Sequence, residues 1–246
     1  MRLFGLIGKS LTHSFSKNYF TKKFEQEGIT DCRYELFPLD SIREFPSLLA
    51  AYPELEGLNV TIPYKKDVIA YLDDRSGIPA GLEACNCIRI RNGKKEGFNT
   101  DHTGFEKSFS PGLSPDHQHA LVLGNGGATA AVVHVLQKLG ITYEVVSREM
   151  HEGSTLTYQQ LTPELIQTHT VIINTTPLGM YPASETFPPI PDEHLSPAHY
   201  LYDLVYNPSE TLFMKKGMEH GAHVSNGADM LVIQAEESWK IWNEGK

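Results

Sequence analysis

The sequence has little cysteine, no excess of positive charge and no long hydrophobic run. Its three cysteines are an odd number and too few for the disulfide scaffold of a small secreted protein. The 30 acidic residues outnumber the 21 basic ones, and the net charge of −9 disfavours nucleic acid as a partner. No apolar stretch reaches the roughly 18 residues of a membrane span, and the N-terminal MRLFGLIGKS is too short for a signal peptide. We therefore expect a cytoplasmic protein with neither a nucleic-acid nor a membrane partner.

The first hundred residues alternate between strand-like and helix-like patterns. Apolar runs predict strands at residues 3–8, 33–39 and 58–62. Apolar residues at helical spacing predict helices at residues 16–28, 41–52 and 64–73. Ser16 is the predicted N-cap of the first helix, and Asn92-Gly93 indicates a β-hairpin over residues 85–99. This half is predicted to be an α/β unit with a mostly parallel sheet and one antiparallel hairpin.

The alternation restarts after a polar stretch at residues 108–118, which we expect to join two domains. Strands are predicted at residues 120–123, 143–146, 170–173 and 201–205, and helices at 128–139 and 229–242. Strands that alternate with helices at this spacing predict a doubly wound parallel sheet. The apolar face of the last helix fits either domain.

A glycine-rich turn, Gly124-Asn125-Gly126-Gly127, lies between the first strand and the first helix of the second half. Glycines at such a turn let the backbone approach a pyrophosphate, and the helix N-terminus supplies free N–H groups and partial positive charge. In an NAD-specific domain an acidic residue follows the second strand. Here Ser147-Arg148 stands at that place, which favours the 2′-phosphate of NADP.

Several polar side chains of the first half stand at or near predicted strand ends. They are Ser14, Ser16, Asn59, Thr61, Lys65, Asn86 and Asp101. Polar groups at the carboxyl ends of parallel strands converge on the crevice where α/β proteins bind ligands. Hydroxyls, amides and a lysine–carboxylate pair together predict a site for a small polyhydroxylated anion.

Eight short segments, spread over nearly the whole chain, carry a family pattern. They are GKSLTHSFS (8–16), GLNVTIPYK (57–65), ACNCI (84–88), GFNTDHTG (97–104), GNGGA (124–128), NTTPLGM (174–180), DLVYNP (203–208) and GADMLVIQ (227–234). In this order they resemble the shikimate dehydrogenase family. The resemblance implies an enzyme of chorismate and aromatic amino-acid biosynthesis that interconverts 3-dehydroshikimate and shikimate with NADP. It also implies an α/β substrate domain at 1–104, a Rossmann-like domain at 105–226 and a C-terminal helix at 227–246 that returns to the substrate domain, the two domains flanking a cleft.

The resemblance also implies roles for particular residues. Lys65 and Asp101 would be the catalytic pair. Substrate would contact Ser14, Ser16, Asn59, Thr61, Lys65, Asn86, Asp101, Tyr206 and Gln234. The cofactor would contact Gly124, Asn125, Gly126, Gly127, Ala128, Thr129, Ser147, Arg148, Thr176, Met180 and Gly227. No metal is expected, and the chain is expected to act as a monomer or homodimer.

The chain departs from the family pattern at two places. Glu149 follows Arg148 where threonine is usual, and no further Lys or Arg occurs before Lys215, so we expect a reduced preference for NADP over NAD. Cys85 and Cys87 flank Asn86, but no further ligand pair at metal-site spacing accompanies them. Two alternatives stay open: a relative that uses quinate or NAD, and a non-catalytic sensor of shikimate-like ligands. Which member of the lysine–aspartate pair transfers the proton also stays open.

Overall fold

The computed structural model describes residues 1–11 and 14–245, and the chain forms two compact units. Unit 1 comprises residues 1–103 and 234–246, and unit 2 comprises residues 104–233. The domain boundaries predicted at 104/105 and 226/227 lie near these divisions and stay predictions.

Unit 1 is built on a six-stranded sheet. Its strands are β1 (Arg2–Gly8), β2 (Cys32–Pro38), β3 (Leu55–Val60), β4 (Asp74–Gly77), β5 (Cys87–Arg91) and β6 (Lys94–Phe98). They are arranged in the order β2-β1-β3-β5-β6-β4. β1 runs parallel to β2 and β3, whereas β5 is antiparallel to both β3 and β6. The β5–β6 turn has Asn92 at φ 51° and Gly93 at φ 77°, as the predicted hairpin requires.

The helices of unit 1 are α1 (Phe15–Gln26) and α2 (Phe45–Ala51), and α3 (Asp101–Phe109) begins in this unit. The predicted N-cap of α1 was wrong: Ser14 is the cap, and its Oγ accepts a hydrogen bond from Lys17 N (3.3 Å). The predicted helix at 64–73 is instead a short 3₁₀ turn, Asp67–Tyr71. The Lys65 carbonyl accepts from Cys85 N (2.7 Å), so a neighbouring segment takes this group out of the helical ladder.

Trp242 anchors the core on one face of this sheet. Its ring stacks on Phe4 with centroids 4.8 Å apart, and its Nε1 donates to the Ile88 carbonyl (3.0 Å). A Cβ at Gly57 would lie 2.4 Å from the indole, so glycine leaves the room that this ring occupies. The opposite face is covered by α2 and the 3₁₀ turn, through Phe45, Leu48 and Val68.

Unit 2 has a second six-stranded sheet, in which every pairing is parallel. Its strands are β7 (His119–Leu123), β8 (Thr142–Ser147), β9 (Leu156–Thr157), β10 (Val171–Asn174), β11 (Tyr200–Asp203) and β12 (His223–Asn226). The order β9-β8-β7-β10-β11-β12 is that of a dinucleotide-binding domain, in which the direction of winding reverses between β7 and β10. The helices of this unit are α4 (Thr129–Lys138), α5 (Pro163–Thr168) and α6 (Leu212–Glu219). The predicted doubly wound α/β fold is confirmed.

The last helix, α7 (Ala228–Asn243), is divided between the two units. Met230 belongs to the core of unit 2, whereas Ala235 and Trp242 belong to that of unit 1. The periodicity of the sequence did not show which domain this helix packs on, because both halves of the helix carry an apolar face. Within residues 1–11 and 14–245, no helix is long and apolar enough to cross a bilayer.

Candidate active site

The polar residues predicted in unit 1 lie along one edge of the sheet, formed by the carboxyl ends of β1, β3 and β6 and the start of β5. In a sheet with the order 2-1-3, the adjacent ends of β1 and β3 mark the point where the winding reverses and ligands bind. The chain that leaves β3 is held against β1 by a hydrogen bond from Thr61 N to the Ile7 carbonyl (2.9 Å). Ser14, which follows β1, and Lys65, which follows β3, therefore come from neighbouring strand ends.

Lys65 and Asp101 form an ion pair. Lys65 Nζ lies 2.7 Å from Asp101 Oδ2, and the two side chains are 18% and 12% exposed. A pair so largely withdrawn from water interacts more strongly than a surface ion pair. Asp101 is the first residue of α3, where the helix dipole favours its negative charge.

Asn86 holds the other oxygen of Asp101. Its Nδ2 donates to Asp101 Oδ1 (2.9 Å) and to Thr100 Oγ1 (2.9 Å), while its Oδ1 accepts from Thr100 N (2.6 Å). Asp101 thus has a partner on each oxygen, which fixes the orientation of its carboxylate.

Cys85 and Cys87, on either side of Asn86 in the sequence, are fully buried, and burial raises the pKa of the Cys85 thiol to about 12. Both cysteines pack as small apolar side chains.

Asn59, in β3, is 4% exposed. Its Oδ1 accepts from the Tyr34 hydroxyl (2.8 Å), and its Nδ2 donates to Ser238 Oγ (2.9 Å) and to the Asn86 carbonyl (3.3 Å). Each of these partners is a protein group, so the geometry favours a structural role for Asn59. Its predicted contact with substrate stays a prediction.

Sequence reasoning did not find Tyr34 or Ser238. The Ser238 hydroxyl donates to the Gln234 carbonyl (2.9 Å) and lies 3.2 Å from Thr100 Oγ1, so it links α7 to the start of α3. A single hydroxyl on the otherwise apolar face of α7, one turn after Gln234, is the signal that could have identified it. Tyr34 gave no signal, because an aromatic residue in a strand is ordinary core.

The remaining predicted substrate residues have different environments. Ser14 and Thr61 are partly exposed, and Ser16, in the first turn of α1, is hydrogen-bonded to the Tyr34 hydroxyl. Gln234 is 8% exposed. These residues and the lysine–aspartate pair all belong to unit 1, whereas Tyr206 belongs to unit 2. Partial burial raises the pKa of Tyr206, which keeps it a neutral phenol at physiological pH.

The glycine turn of unit 2 lies at the switch point between β7 and β10. Gly124 has φ +106°, and a Cβ there would lie 2.8 Å from Thr175 Oγ1, so this glycine is needed for the turn itself. A Cβ at Gly126 or Gly127 would meet no atom within 4 Å. The space over these two glycines is open to a ligand. Asn125 closes one side of the turn by donating from Nδ2 to the Glu152 carbonyl (2.8 Å).

The Thr129 side chain stabilises the glycine turn by hydrogen bonds. Its hydroxyl donates to the Gly124 carbonyl (3.1 Å), accepts from Gly126 N (3.0 Å) and lies 2.9 Å from Thr175 Oγ1. This side chain is 4% exposed, so it shapes the loop. Ala128, the N-cap of α4, offers no side-chain cap, and first-turn N–H groups of the helix are left for another acceptor. A pyrophosphate is such an acceptor.

The segment after β8 offers a cation at the surface. The Arg148 and Glu149 side chains are exposed, and Ser147, which is buried, donates its hydroxyl to the Glu149 carbonyl. Burial raises the pKa of Tyr158 to about 12, and the nearby Arg148 guanidinium opposes part of that rise. Within the described part of the chain, the buried Tyr158 hydroxyl has no hydrogen-bond partner. An exposed arginine fits the 2′-phosphate at the adenosine end of a dinucleotide phosphate.

Thr176, Met180 and Gly227 lie after β10 and β12. Thr176 is tied to Asn174, whose Oδ1 accepts from Thr176 N (3.0 Å) and Oγ1 (2.6 Å). Met180 is 44% exposed. A Cβ at Gly227 would lie 2.3 Å from the Leu204 carbonyl, which explains the glycine there. The three positions, with the glycine turn, follow strands of the same parallel sheet. The donor groups and open glycines of unit 2 therefore fit a dinucleotide.

Comparison with known proteins gives the same picture. Residues 6–88 match the family model described as the shikimate dehydrogenase substrate binding domain. The shikimate dehydrogenase (NADP(+)) of Clostridium beijerinckii is 35% identical, over 99% of this chain and 93% of that protein.

Solved structures agree over the full length. The Thermus thermophilus shikimate 5-dehydrogenase in complex with NADP(H) and shikimate matches with a TM-score of 0.85 and 27% identity, over 99% of this chain and 94% of that one. A quinate dehydrogenase from Corynebacterium glutamicum in complex with NAD matches with a TM-score of 0.87 and 26% identity, over 98% and 93%. The chain is therefore a member of the shikimate dehydrogenase family.

Proposed function

We propose that this chain is an NADP-dependent oxidoreductase that interconverts 3-dehydroshikimate and shikimate, a step in chorismate and aromatic amino-acid biosynthesis. The observation that carries the proposal is the Lys65–Asp101 pair, 2.7 Å apart and largely withdrawn from water, in the unit that matches the substrate-binding family model. Membership of a family whose curated relatives are shikimate dehydrogenases (NADP(+)) supports it. We expect the enzyme in the cytoplasm, as a monomer or homodimer.

The reaction needs a charge stabiliser and a proton donor at the substrate carbonyl. The cofactor, when bound, supplies the hydride. As negative charge develops on the carbonyl oxygen, the Lys65 ammonium attracts it more strongly than it attracts the neutral ketone, which lowers the barrier. The proton that the oxygen takes up comes from the lysine–aspartate pair.

Asp101 keeps the ammonium in place and offers an acceptor to a substrate hydroxyl. Asn86 prevents the carboxylate from rotating, because it occupies Oδ1 while Lys65 occupies Oδ2. The substrate carboxylate would be bound by the hydroxyls of Ser14 and Ser16, with Thr61 and Gln234 as further contacts. These contacts suit a small, polyhydroxylated anion.

The cofactor would be held by unit 2. The turn from Gly124 to Thr129 and the uncapped start of α4 would bind the pyrophosphate. Ser147 and Arg148 would bind the adenosine 2′-phosphate, while Thr176, Met180 and Gly227 would lie on the nicotinamide side. Together these residues make NADP the expected cofactor.

A second candidate is a dehydrogenase that accepts quinate or NAD. The match to a quinate dehydrogenase in complex with NAD favours it, as does the acidic Glu149 beside Arg148. A non-catalytic sensor is less well supported, because a ligand-binding protein has no need of the Lys65–Asp101 pair.

The deciding experiment is a cofactor-reduction assay of the purified chain with shikimate and with quinate, each with NADP⁺ and with NAD⁺. We expect the highest kcat/KM with shikimate and NADP⁺. Higher kcat/KM with quinate or NAD⁺ would support the second candidate. Binding of shikimate without any cofactor reduction would support the sensor. A Lys66→Ala variant, altered at the exposed neighbour of Lys65, is the control for nonspecific effects of mutation.

A further inference from the structure

Asp203 is a fully buried carboxylate that the proposed mechanism does not use. It ends β11, and three groups donate to it: Asn174 Nδ2 to Oδ1 (2.9 Å), Val205 N to Oδ1 (3.0 Å) and Thr211 Oγ1 to Oδ2 (2.6 Å). All three donors are neutral. Burial raises the pKa of Asp203 to about 6, because these hydrogen bonds offset only part of the cost of desolvating the charge.

Asn174 links the Asp203 carboxylate to the loop after β10 by hydrogen bonds. Besides donating to Asp203, its Nδ2 lies 3.3 Å from the Leu178 carbonyl, and its Oδ1 accepts two hydrogen bonds from Thr176. Leu178 N in turn donates to Thr176 Oγ1 (3.2 Å). The conformation of residues 175–178 is therefore set by an amide whose own orientation Asp203 fixes.

The loop after β11 depends on the same carboxylate. Val205 N donates directly to Asp203, and the Leu204 carbonyl next to it packs against Gly227. Tyr181 N donates to the Asn207 carbonyl (3.0 Å), which ties this loop to the one after β10. Thr211 carries the connection to the start of α6, because its Oγ1 also accepts from Met214 N (3.3 Å).

We propose that Asp203 is a positioning residue that locks the loops after β10 and β11 in the conformation that receives the nicotinamide half of the cofactor. This inference rests on the proposed function. Among residues 1–11 and 14–245, only neutral groups bond to Asp203. A buried carboxylate without a cationic partner destabilises a fold relative to an apolar side chain. Such a group is favoured where its acceptor geometry, here three donors on two oxygens, organises a site.

The test compares Asp203→Asn with His199→Ala. His199 is 2% exposed and has internal hydrogen bonds just before the other end of β11, so its loss perturbs the same strand away from the loops. Hydrogen exchange of the full chain without cofactor reports loop order, and calorimetric titration gives Kd for NADP⁺ and for adenosine 2′,5′-bisphosphate, which lacks the nicotinamide half.

For Asp203→Asn we expect exchange at 176–181 and 204–208 to accelerate about tenfold or more, and Kd for NADP⁺ to rise by about 5- to 20-fold. Kd for the bisphosphate should stay within about twofold, because the glycine turn and Arg148 are untouched. His199→Ala should lower the melting temperature and change neither quantity. Unchanged loop exchange, equal weakening of both ligands or the same pattern in His199→Ala would overturn the proposal.

If Asp203→Asn does not fold, Thr211→Val and Thr211→Ser take its place. The valine variant removes the hydroxyl that donates to Asp203 Oδ2 and should reproduce the loop changes, whereas serine should restore wild-type values. Wild-type behaviour in the valine variant would overturn the proposal. If the wild-type chain binds no NADP⁺, the proposed function fails, while the exchange data still decide whether Asp203 orders the loops.

Discussion

The two units build their candidate sites from different parts of the polypeptide. Each places its candidate site at the carboxyl ends of strands where the winding of a sheet reverses. In unit 1 the site consists of interlocked side chains, from Lys65 through Asp101 and Asn86 to Ser238. In unit 2 the candidate phosphate site consists of backbone, namely glycines with open space above them and the start of α4. Chemistry that moves a proton needs side chains, whereas a pyrophosphate is bound well by N–H groups.

The difference predicts different sensitivity to mutation. A side-chain network loses function when one group is removed, because its neighbours lose a partner. A backbone site tolerates side-chain changes nearby and fails only where a new atom fills the space of the ligand. Single substitutions in unit 1 should therefore reduce activity more than single substitutions in unit 2.

The largest effect is expected at Lys65. Lys65→Ala should lower kcat by about 10²- to 10⁴-fold, since one acid–base or oxyanion-stabilising group typically contributes that much. KM for shikimate should change far less, because the lost interaction strengthens mainly in the transition state. Steady-state kinetics check this, with Lys66→Ala as the matched control. A kcat near that of wild type would remove Lys65 from the mechanism.

Asp203 should make the stability of the protein depend on pH. Its folded pKa of about 6 lies above the ordinary value of 3.8, so the folded state binds this proton more tightly than the unfolded chain does. The resulting stabilisation is complete below the unfolded pKa and is lost as pH rises through about 6. Relative to Asp203→Asn, the wild-type free energy of unfolding should therefore fall by up to about 3 kcal/mol between pH 4 and 7.

Urea unfolding of both proteins across that range measures the difference, in which the contributions of the other titrating groups cancel. A pH-independent difference would show that Asp203 has no raised pKa.

A smaller effect is expected at the exposed Arg148. Arg148→Ala should remove most of the preference for NADP over NAD, about 10- to 100-fold in kcat/KM, because its guanidinium is the group expected to pair with the 2′-phosphate. Glu149→Thr should widen the preference by about 3- to 10-fold, as a partly screened negative charge is removed. An Arg75→Ala variant, altered at an exposed arginine of unit 1, is the control. Full NADP selectivity in Arg148→Ala would contradict this assignment.

Two glycines of one turn should respond differently to substitution. Gly124→Ala forces a side chain to φ +106° and into Thr175, so it should destabilise the protein by about 1–3 kcal/mol. Gly126→Ala meets no protein atom and should leave the melting temperature close to that of wild type. It should instead raise Kd for NADP⁺ about tenfold, because the methyl group enters the space of the pyrophosphate. Unaltered NADP⁺ binding in Gly126→Ala would place the pyrophosphate elsewhere.

The same contrast explains how much the sequence could predict. A site built from backbone depends on residues that are close in sequence. The turn at Gly124, and the alternation of strands and helices around it, could therefore be predicted from the sequence. Ser16 was predicted as the cap of α1, and only the geometry of the helix shows that Ser14 is the cap. The helix predicted at 64–73 failed because a hydrogen bond from the distant Cys85 competes for the Lys65 carbonyl. Tyr34 and Ser238 act through partners far along the chain, and Asp203 reaches the loop after β10 through Asn174, 29 residues earlier. No local pattern specifies these contacts.

The division of α7 has a consequence for the order of events during translation. The core on one face of the first sheet is completed by Trp242, which stacks on Phe4 and donates to Ile88. While a ribosome makes the chain, the amino-terminal 103 residues emerge first, yet this face must wait for the last helix to leave the exit tunnel. Unit 2, continuous in sequence, can form earlier. The domain that is synthesised first is thus the one that matures last, and a chain cut before the final helix leaves Phe4 and Gly57 uncovered.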